Sequence, residues 1–421
     1  MYLPRIADKI LKERLDSKGA VLIEGPKWCG KTWTAKQQSK SILDLAKPKI
    51  LLETRNLLEL NPELVLEGLT PRLIDEWQEI PSLWDYVRSE VDNRQKMSQF
   101  ILTGSSVPAD KSHVLHSGTG RITRMYMRPM SLWESKESSG DISLAELFDG
   151  KFPQYGKNKL SLKDISFLIC RGGWPMAIPL TGNIALRQAI DYYEAVVNFD
   201  IKRIDDKKRS SSFMKKILRS YSRHIGYQTP DTTIQHDTKE GDRPHDLATI
   251  ADYINSLKKI FVVEEMQSWN PNLRSKTAIR VSETRYFTDP SIACASLGIG
   301  PEALLKDLKA FGMLFENLCV RDLRVYAESL DGEVYHYRDG NGLECDAVIH
   351  LRDGRYALVE VKLGGETQIE EACSNLLKFK SKIAIEEEGS PSFLMVLTAV
   401  GDFAYRRKDG IWIVPVGSLK N

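Results

Sequence analysis

Apolar residues along this chain fall into two patterns, short unbroken runs and helix-spaced stripes. Ala20-Val-Leu-Ile-Glu24, Arg72-Leu-Ile-Asp75-Glu76 and Phe100-Ile-Leu-Thr103-Gly104 are runs of the first kind. Such runs, bounded by glycine or charge, predict strands buried on both faces of a sheet. Leu186, Ile190, Tyr193, Val197 and Ile201 recur at helical spacing and predict a helix over about 184–203. Phe213, Ile217 and Tyr221 predict a second helix, and Leu247, Ile250, Ile254 and Leu257 a third. Phe261–Met266 and Thr284–Thr288 then predict a two-stranded ribbon, and Phe311–Leu323 an apolar helix. Val334–Arg338 and Gly342–Ile349, joined by an Asp339-Gly-Asn-Gly turn, predict a strand pair, and Ala357–Leu363 a further strand. Ser138–Lys163 is polar, is punctuated by glycine and proline, and reads as a linker. Arg171-Gly-Gly-Trp-Pro175 reads as a turn between helical stretches.

Composition narrows the class without naming a partner. At 421 residues the chain is long enough for two to four domains, and 42% hydrophobic with 28% charged residues excludes wholesale disorder. The net charge of +2 says nothing about partners, so any nucleic-acid signal must be local. Pro391–Gly401, the best uncharged apolar run, falls far short of the roughly 20 residues a bilayer needs and reads as a buried strand. MYLPRIADKILKERL mixes charges into its apolar residues and does not read as a signal peptide. No membrane association is expected. The six scattered cysteines form no CxxC pair and read as reduced core thiols of a cytoplasmic protein. His113 and His116, three apart, lack further ligands and read as loop residues.

The strongest chemistry lies in Gly25-Pro26-Lys27-Trp28-Cys29-Gly30-Lys31-Thr32, directly after the first strand. It fits the phosphate loop G-x-x-x-x-G-K-[ST]. Glycines let backbone N–H groups close on phosphate oxygens, and the following helix adds its positive N-terminus. Lys31 would reach the β- and γ-phosphates of ATP, and Thr32 would give a hydroxyl to Mg2+. The second run ends in Asp75 and Glu76, 43 residues after Thr32. There Asp75 would hold Mg2+ through its water shell and Glu76 would polarise the attacking water. Thr103, Ser105 or Ser106, at the tip of the third strand, would sense the γ-phosphate; a plain Ser/Gly turn is the alternative for each. Among Arg121, Arg124 and Arg128, Arg121 is the first choice for an arginine finger. A finger acting in trans requires a second copy of the chain, whereas one acting in cis serves a monomer.

GPKWCGKT, LIDEWQ, FILTGSS, GRITRMYMRPMSLWE and RGGWP occur in the order found in a family of prokaryotic AAA-type P-loop ATPases with a carboxy-terminal domain of unknown function, which this chain resembles. The resemblance implies an α/β fold: a P-loop core with a parallel sheet, a helical lid, a winged helix and a restriction-endonuclease-like end. The expected boundaries are 1–137 for the core, 138–205 for linker and lid, 206–300 for the winged helix and 301–421 for the nuclease-like domain.

Two local features bear on DNA. Residues 201–230 carry nine basic side chains (Lys202, Arg203, Lys207, Lys208, Arg209, Lys215, Lys216, Arg219, Arg223) against Asp205 and Asp206, a net +7. With the helices and a ribbon bracketing Arg274, Lys276 and Arg280, this predicts a basic winged helix lying along phosphates. Protein docking and a solvated face are the competing readings, and Asp246, Asp252, Lys258 and Lys259 leave the recognition helix poorly equipped to read bases.

Further on, Glu316 falls among Phe315, Leu318, Val320 and Leu323, where a carboxylate is costly unless paired or bound to metal. Asp346, thirteen residues and then Glu360-x-Lys362 follow. Strand alternation sets Glu360 and Lys362 on one face. This spacing resembles the PD-(D/E)XK superfamily, although the strand before Asp346 lacks a proline–aspartate pair. Asp346, Glu360 and Glu316 would hold Mg2+, Lys362 would orient or activate water, and Gln368 would assist. A structural Lys362–Glu360 salt bridge is the alternative. The leading expectation is an ATPase coupling its nucleotide state to DNA binding or cleavage; the other is an ATP-dependent switch with an inactive nuclease-like domain that docks partner proteins.

Overall fold

Five parallel strands form the first sheet of the computed structural model: β1 (Ala20–Glu24), β2 (Ser41–Asp44), β3 (Arg72–Asp75), β4 (Phe100–Gly104) and β5 (Ile122–Tyr126), in the order β2-β3-β4-β1-β5. The structure describes residues 2–104, 117–153, 155–204, 207, 209–239, 244–270, 282–385 and 389–421. Ser105, Ser106, His113, His116, Asp205, Asp206, Lys208, Arg274, Lys276 and Arg280, and the side chains of Lys202 and Arg203, lie outside the described residues.

The chain divides into two compact units. One comprises Met1–Pro129 with Asn198–Arg209 and Ser256–Phe261; the other comprises Met130–Val197, Ser210–Asn255 and Val262–Asn421. In the first, each strand feeds two cores. Ala20 and Leu22 join Ile74, Phe100, Leu102, Trp77 and Trp84 on one face, while Val21 and Ile23 join Leu11, Leu73, Ile101 and Met125 on the other. This two-sided burial is why the runs are apolar throughout rather than alternating; each such side chain contributes roughly 1.5–3 kcal/mol.

The second unit holds a seven-stranded sheet. Its strands are β7 (Gly156–Lys157), β8 (Gly332–Arg338), β9 (Glu344–Leu351), β10 (Tyr356–Lys362), β11 (Leu394–Thr398), β12 (Phe403–Arg406) and β13 (Trp412–Pro415), in the order β7-β12-β13-β11-β10-β9-β8. β8, β9 and β10 run antiparallel, and β10 and β11 run parallel across the helix Glu366–Ile385. That helix covers Val348, Leu358 and Val396 with Ala372, Leu376 and Phe379, and Phe379 stacks on Tyr337 at 4.0 Å.

Two expectations change. The stretch read as a linker contributes β7, a short helix (Leu144–Phe148) and β6 (Ile142–Ser143), which pairs with β14 (Leu419–Lys420). Two-residue strands are too short to leave a periodicity in sequence. The helix expected over 184–203 spans Gly182–Asn198 and buries Ala185, Ala189, Tyr192, Tyr193, Val196 and Val197, leaving Ile190 exposed. Trp174 of the RGGWP turn stacks its ring on Tyr192 of this helix at 4.2 Å.

That turn is tied into a buried ion cluster. Arg321 donates to Asp289 (2.8 Å) and Asp322 (2.7 Å), all three being closed to solvent. Asp289 in turn accepts from the Gly173 N–H, and Asp322 from the Leu132 N–H, both at 2.9 Å. A Cβ at Gly173 would come within 2.1 Å of the Met130 carbonyl, so only glycine fits. Helices Ser211–Ser222, Asp231–Asp237 and Leu247–Lys259 follow, then antiparallel bridges Val263–Phe287 and Met266–Thr284.

Candidate functional site

β4 lies between β1 and β3, bringing the loop after β1 and the ends of β3 and β4 to one edge of the sheet. Gly25 has φ +149°, and a Cβ there would meet the Met127 carbonyl at 2.1 Å. Trp28 takes φ +66°, a left-handed conformation that costs a non-glycine residue of order 1 kcal/mol. Gly30 (φ +105°) caps the helix Lys31–Gln38. Lys31 is buried, and its ammonium donates to the Gly25 and Pro26 carbonyls at 2.9 and 2.8 Å. Lys27 instead pairs with Asp200, and Cys29 donates its thiol to the Met127 carbonyl at 3.3 Å.

Beside the loop, Asp75 Oδ1 accepts the Thr32 hydroxyl at 2.8 Å and also the Thr103 hydroxyl. Asp75 and Thr103 are paired residues of β3 and β4. Hydroxyl and carboxylate oxygens at this spacing suit a hard cation such as Mg2+. Glu76 has φ +56° and accepts from the Gln78 amide. That left-handed turn ends β3. Arg121 pairs with Asp92 at 2.7 Å and Arg124 with Glu24 at 2.7 Å, while Arg128 lies over the Tyr126 ring.

Two supporting residues were not singled out in the sequence. Arg5, buried at the start of the helix Ile6–Ser17, donates to the Cys29 carbonyl at 2.7 Å and the Arg128 carbonyl at 2.8 Å. Asp200 holds Lys27. Nothing local in the sequence marked Arg5, because its contacts span 24 and 123 positions.

The second site lies on β9 and β10. Their register pairs Ala347 with Val359, so one step further sets Asp346 beside Glu360. Lys362 donates to Glu360 Oε2 (2.7 Å) and Asp346 Oδ2 (3.1 Å), and the Val361 N–H donates to Asp346 Oδ2 (2.7 Å). Burial and then the neighbouring Asp346 raise the Glu360 pKa well above the usual carboxylate range. Burial opposes the Lys362 charge, but the two carboxylates outweigh it and raise its pKa. Glu316, on the helix Leu308–Glu328, accepts from the Tyr286 hydroxyl at 2.5 Å, and burial followed by Asp346 pushes its pKa to about 8. Gln368 is exposed on the helix Glu366–Ile385. Asp346, Glu360 and Lys362 therefore meet, with Glu316 close enough to feel Asp346. Among the described residues no three His, Cys, Asp or Glu side chains converge as a ready metal cluster.

Of the basic segment, Lys215, Lys216 and Arg219 are exposed on the helix Ser211–Ser222, and Arg223 is exposed just past its end. Lys215 pairs with Glu194 and Arg223 with Asp237, which tempers the positive face. All six cysteines are buried free thiols. Among the described residues no helix is long and apolar enough to cross a membrane.

Residues 17–136 match the AAA domain family. The chain carries an AAA-type ATPase core. This match and the phosphate-loop geometry together support ATP binding and hydrolysis. Residues 162–303 match a domain of unknown function (DUF8612), and residues 311–419 another (DUF4143). Uncharacterized proteins of Mycobacterium bovis and Mycobacterium tuberculosis are each 22% identical over 362 residues, covering 84% of this chain and 72% of theirs. Among solved structures, the Walker-type ATPase PABY2304 of Pyrococcus abyssi aligns with 70% of this chain and 96% of its own, at 14% identity and a TM-score of 0.44.

Proposed function

We propose that this AAA-type ATPase couples ATP hydrolysis to Mg2+-dependent cleavage of DNA by its carboxy-terminal domain. The observation that carries the second half is the meeting of Asp346, Glu360 and Lys362 on adjacent strands. In the core, Lys31 exchanges its loop carbonyls for β- and γ-phosphate oxygens, and Glu76 orients the attacking water. Thr32 and Asp75 would hold Mg2+, with Thr103 and Ser105 the candidate sensors of the terminal phosphate. Arg121 serves as a finger only by leaving Asp92, in cis or in a neighbouring copy.

In the second site Asp346 and Glu360, with Glu316 behind, would hold Mg2+, and Lys362 would orient water toward the phosphodiester. When bound, the ion supplies neutralisation of phosphate charge and a lowered pKa for water. Lys215, Lys216 and Arg219 of the helix Ser211–Ser222 and Arg223 just after it, with the next two helices and ribbon forming a winged helix, would supply the phosphate-contacting surface.

A second reading has one observation in its favour. The Lys362 ammonium already bridges both carboxylates, as in a structural ion pair, which fits a nuclease-like domain that has lost its chemistry and docks partner proteins under nucleotide control. Incubating linear, circular and single-stranded DNA with Mg2+ or Mn2+, with and without ATP, beside Lys362→Ala, separates the two. Cleavage lost in the variant supports the nuclease. No cleavage by the intact protein under any condition overturns it in favour of the switch.

A further inference from the structure

The phosphate loop carries two lysines in different company. The Lys31 ammonium rests on the carbonyls of Gly25 and Pro26, which puts the β/γ-phosphate end of the loop at its first residues. Lys27 follows directly, and its ammonium is 2.6 Å from Asp200 Oδ1. Asp200 opens the 3-10 turn Asp200–Arg203, which follows the helix ending at Asn198. Its side chain is 12% exposed against 41% for Lys27, so the carboxylate is confined while the ammonium is open to the solvent side. Ile201 is fully buried and anchors the turn.

A confined carboxylate next to an anion-binding loop is costly unless a cation neutralises it, and Lys27 does so. An incoming terminal phosphate bears more charge than the carboxylate and offers several acceptor oxygens. Both anions compete for one ammonium, and a diphosphate lacks the group that would win it.

We propose that Lys27 and Asp200 form a nucleotide-sensitive latch: Lys27 holds Asp200 in the nucleotide-free protein and transfers to the terminal phosphate of a bound nucleoside triphosphate, releasing the 200–203 turn. The latch rests on the reading of the phosphate loop as an ATP site. It gives the core a signal that differs between triphosphate and diphosphate without any covalent step.

Amide hydrogen exchange across Phe199–Ile204 in the full chain tests it, with Mg2+–AMP-PNP or Mg2+–ADP as probe and bound nucleotide quantified in the same samples. AMP-PNP is expected to speed exchange of this segment about tenfold, with ADP leaving it slow. Asp200→Asn and Lys27→Met are each expected to exchange fast with or without nucleotide. Unchanged exchange in the AMP-PNP-saturated protein overturns the latch alone, as does slow exchange in unliganded Asp200→Asn. Failure of the unaltered protein to bind either nucleotide overturns the ATP-site reading and the latch with it.

Discussion

Replacing Arg5 with alanine tests whether the phosphate loop is held from behind by the amino-terminal helix. The guanidinium makes two charge-assisted hydrogen bonds, to the carbonyls of Cys29 and Arg128, and only 7% of the residue is exposed. Bonds of this kind contribute about 1.5–3 kcal/mol each, so a rigid site would lose about 3–6 kcal/mol. Water entering the space left behind would recover part of that, leaving an expected loss of about 2–4 kcal/mol in urea unfolding of the ATPase unit. Because one bond ends on the loop itself, nucleotide affinity should also fall at least tenfold, about 1.4 kcal/mol. Arg5→Lys can satisfy one carbonyl at a time and should recover roughly half of each loss. A destabilisation below about 0.5 kcal/mol with unchanged affinity for a fluorescent ATP analogue would refute the assigned role.

Further expectations concern the water-polarising, buried-charge and histidine groups. Glu76→Gln should bind ATP normally yet hydrolyse it at least 100-fold more slowly, read by single-turnover kinetics; unchanged turnover removes Glu76 from the chemistry. Arg321→Met leaves Asp289 and Asp322 buried without a countercharge and should cost about 3–5 kcal/mol by chemical denaturation, whereas a loss under 1 kcal/mol would contradict the buried network. Burial lowers the His336 pKa to about 4, below its unfolded value of 6.5. The unfolded chain therefore binds more protons between those limits, so this stabilisation, of order 3 kcal/mol, is present above pH 6.5 and is lost as pH falls toward 4. His336→Gln should flatten that part of the stability–pH curve, and an unaltered slope would show that His336 is not its source.

The parts most legible in sequence were those whose physics is local. β1, β3 and β4 stand out because a strand covered on both faces must be apolar at every position, and the loop after β1 because its glycines answer to steric contacts such as Gly25 against Met127. The Asp339-Gly-Asn-Gly turn marks the β8–β9 pair, and the cost of burying a carboxylate marks Glu316, although its partner Tyr286 is remote in sequence. Long-range pairings left no such trace. Arg5 reaches across to Arg128, Asp200 closes on Lys27, and β7 joins β12 from the far end of the chain. Each depends on which segments the topology brings together rather than on neighbouring residues. The Gly182–Asn198 helix was read in part: Tyr193 and Val197 of the apolar stripe are buried, but Ile190 is exposed and the packed face also includes Ala185, Ala189 and Tyr192, which stacks under Trp174.

The central claim is that Lys31, lying on the carbonyls of its own loop, turns that loop into an ATP site. Binding of a fluorescent ATP analogue and release of phosphate from ATP, measured with Mg2+ on the intact chain and on Lys31→Ala, test it most directly. The account predicts binding and turnover by the intact protein, both abolished in the variant while its thermal unfolding stays close to that of the parent. Full activity in Lys31→Ala, or no nucleotide binding by the intact protein, would contradict it.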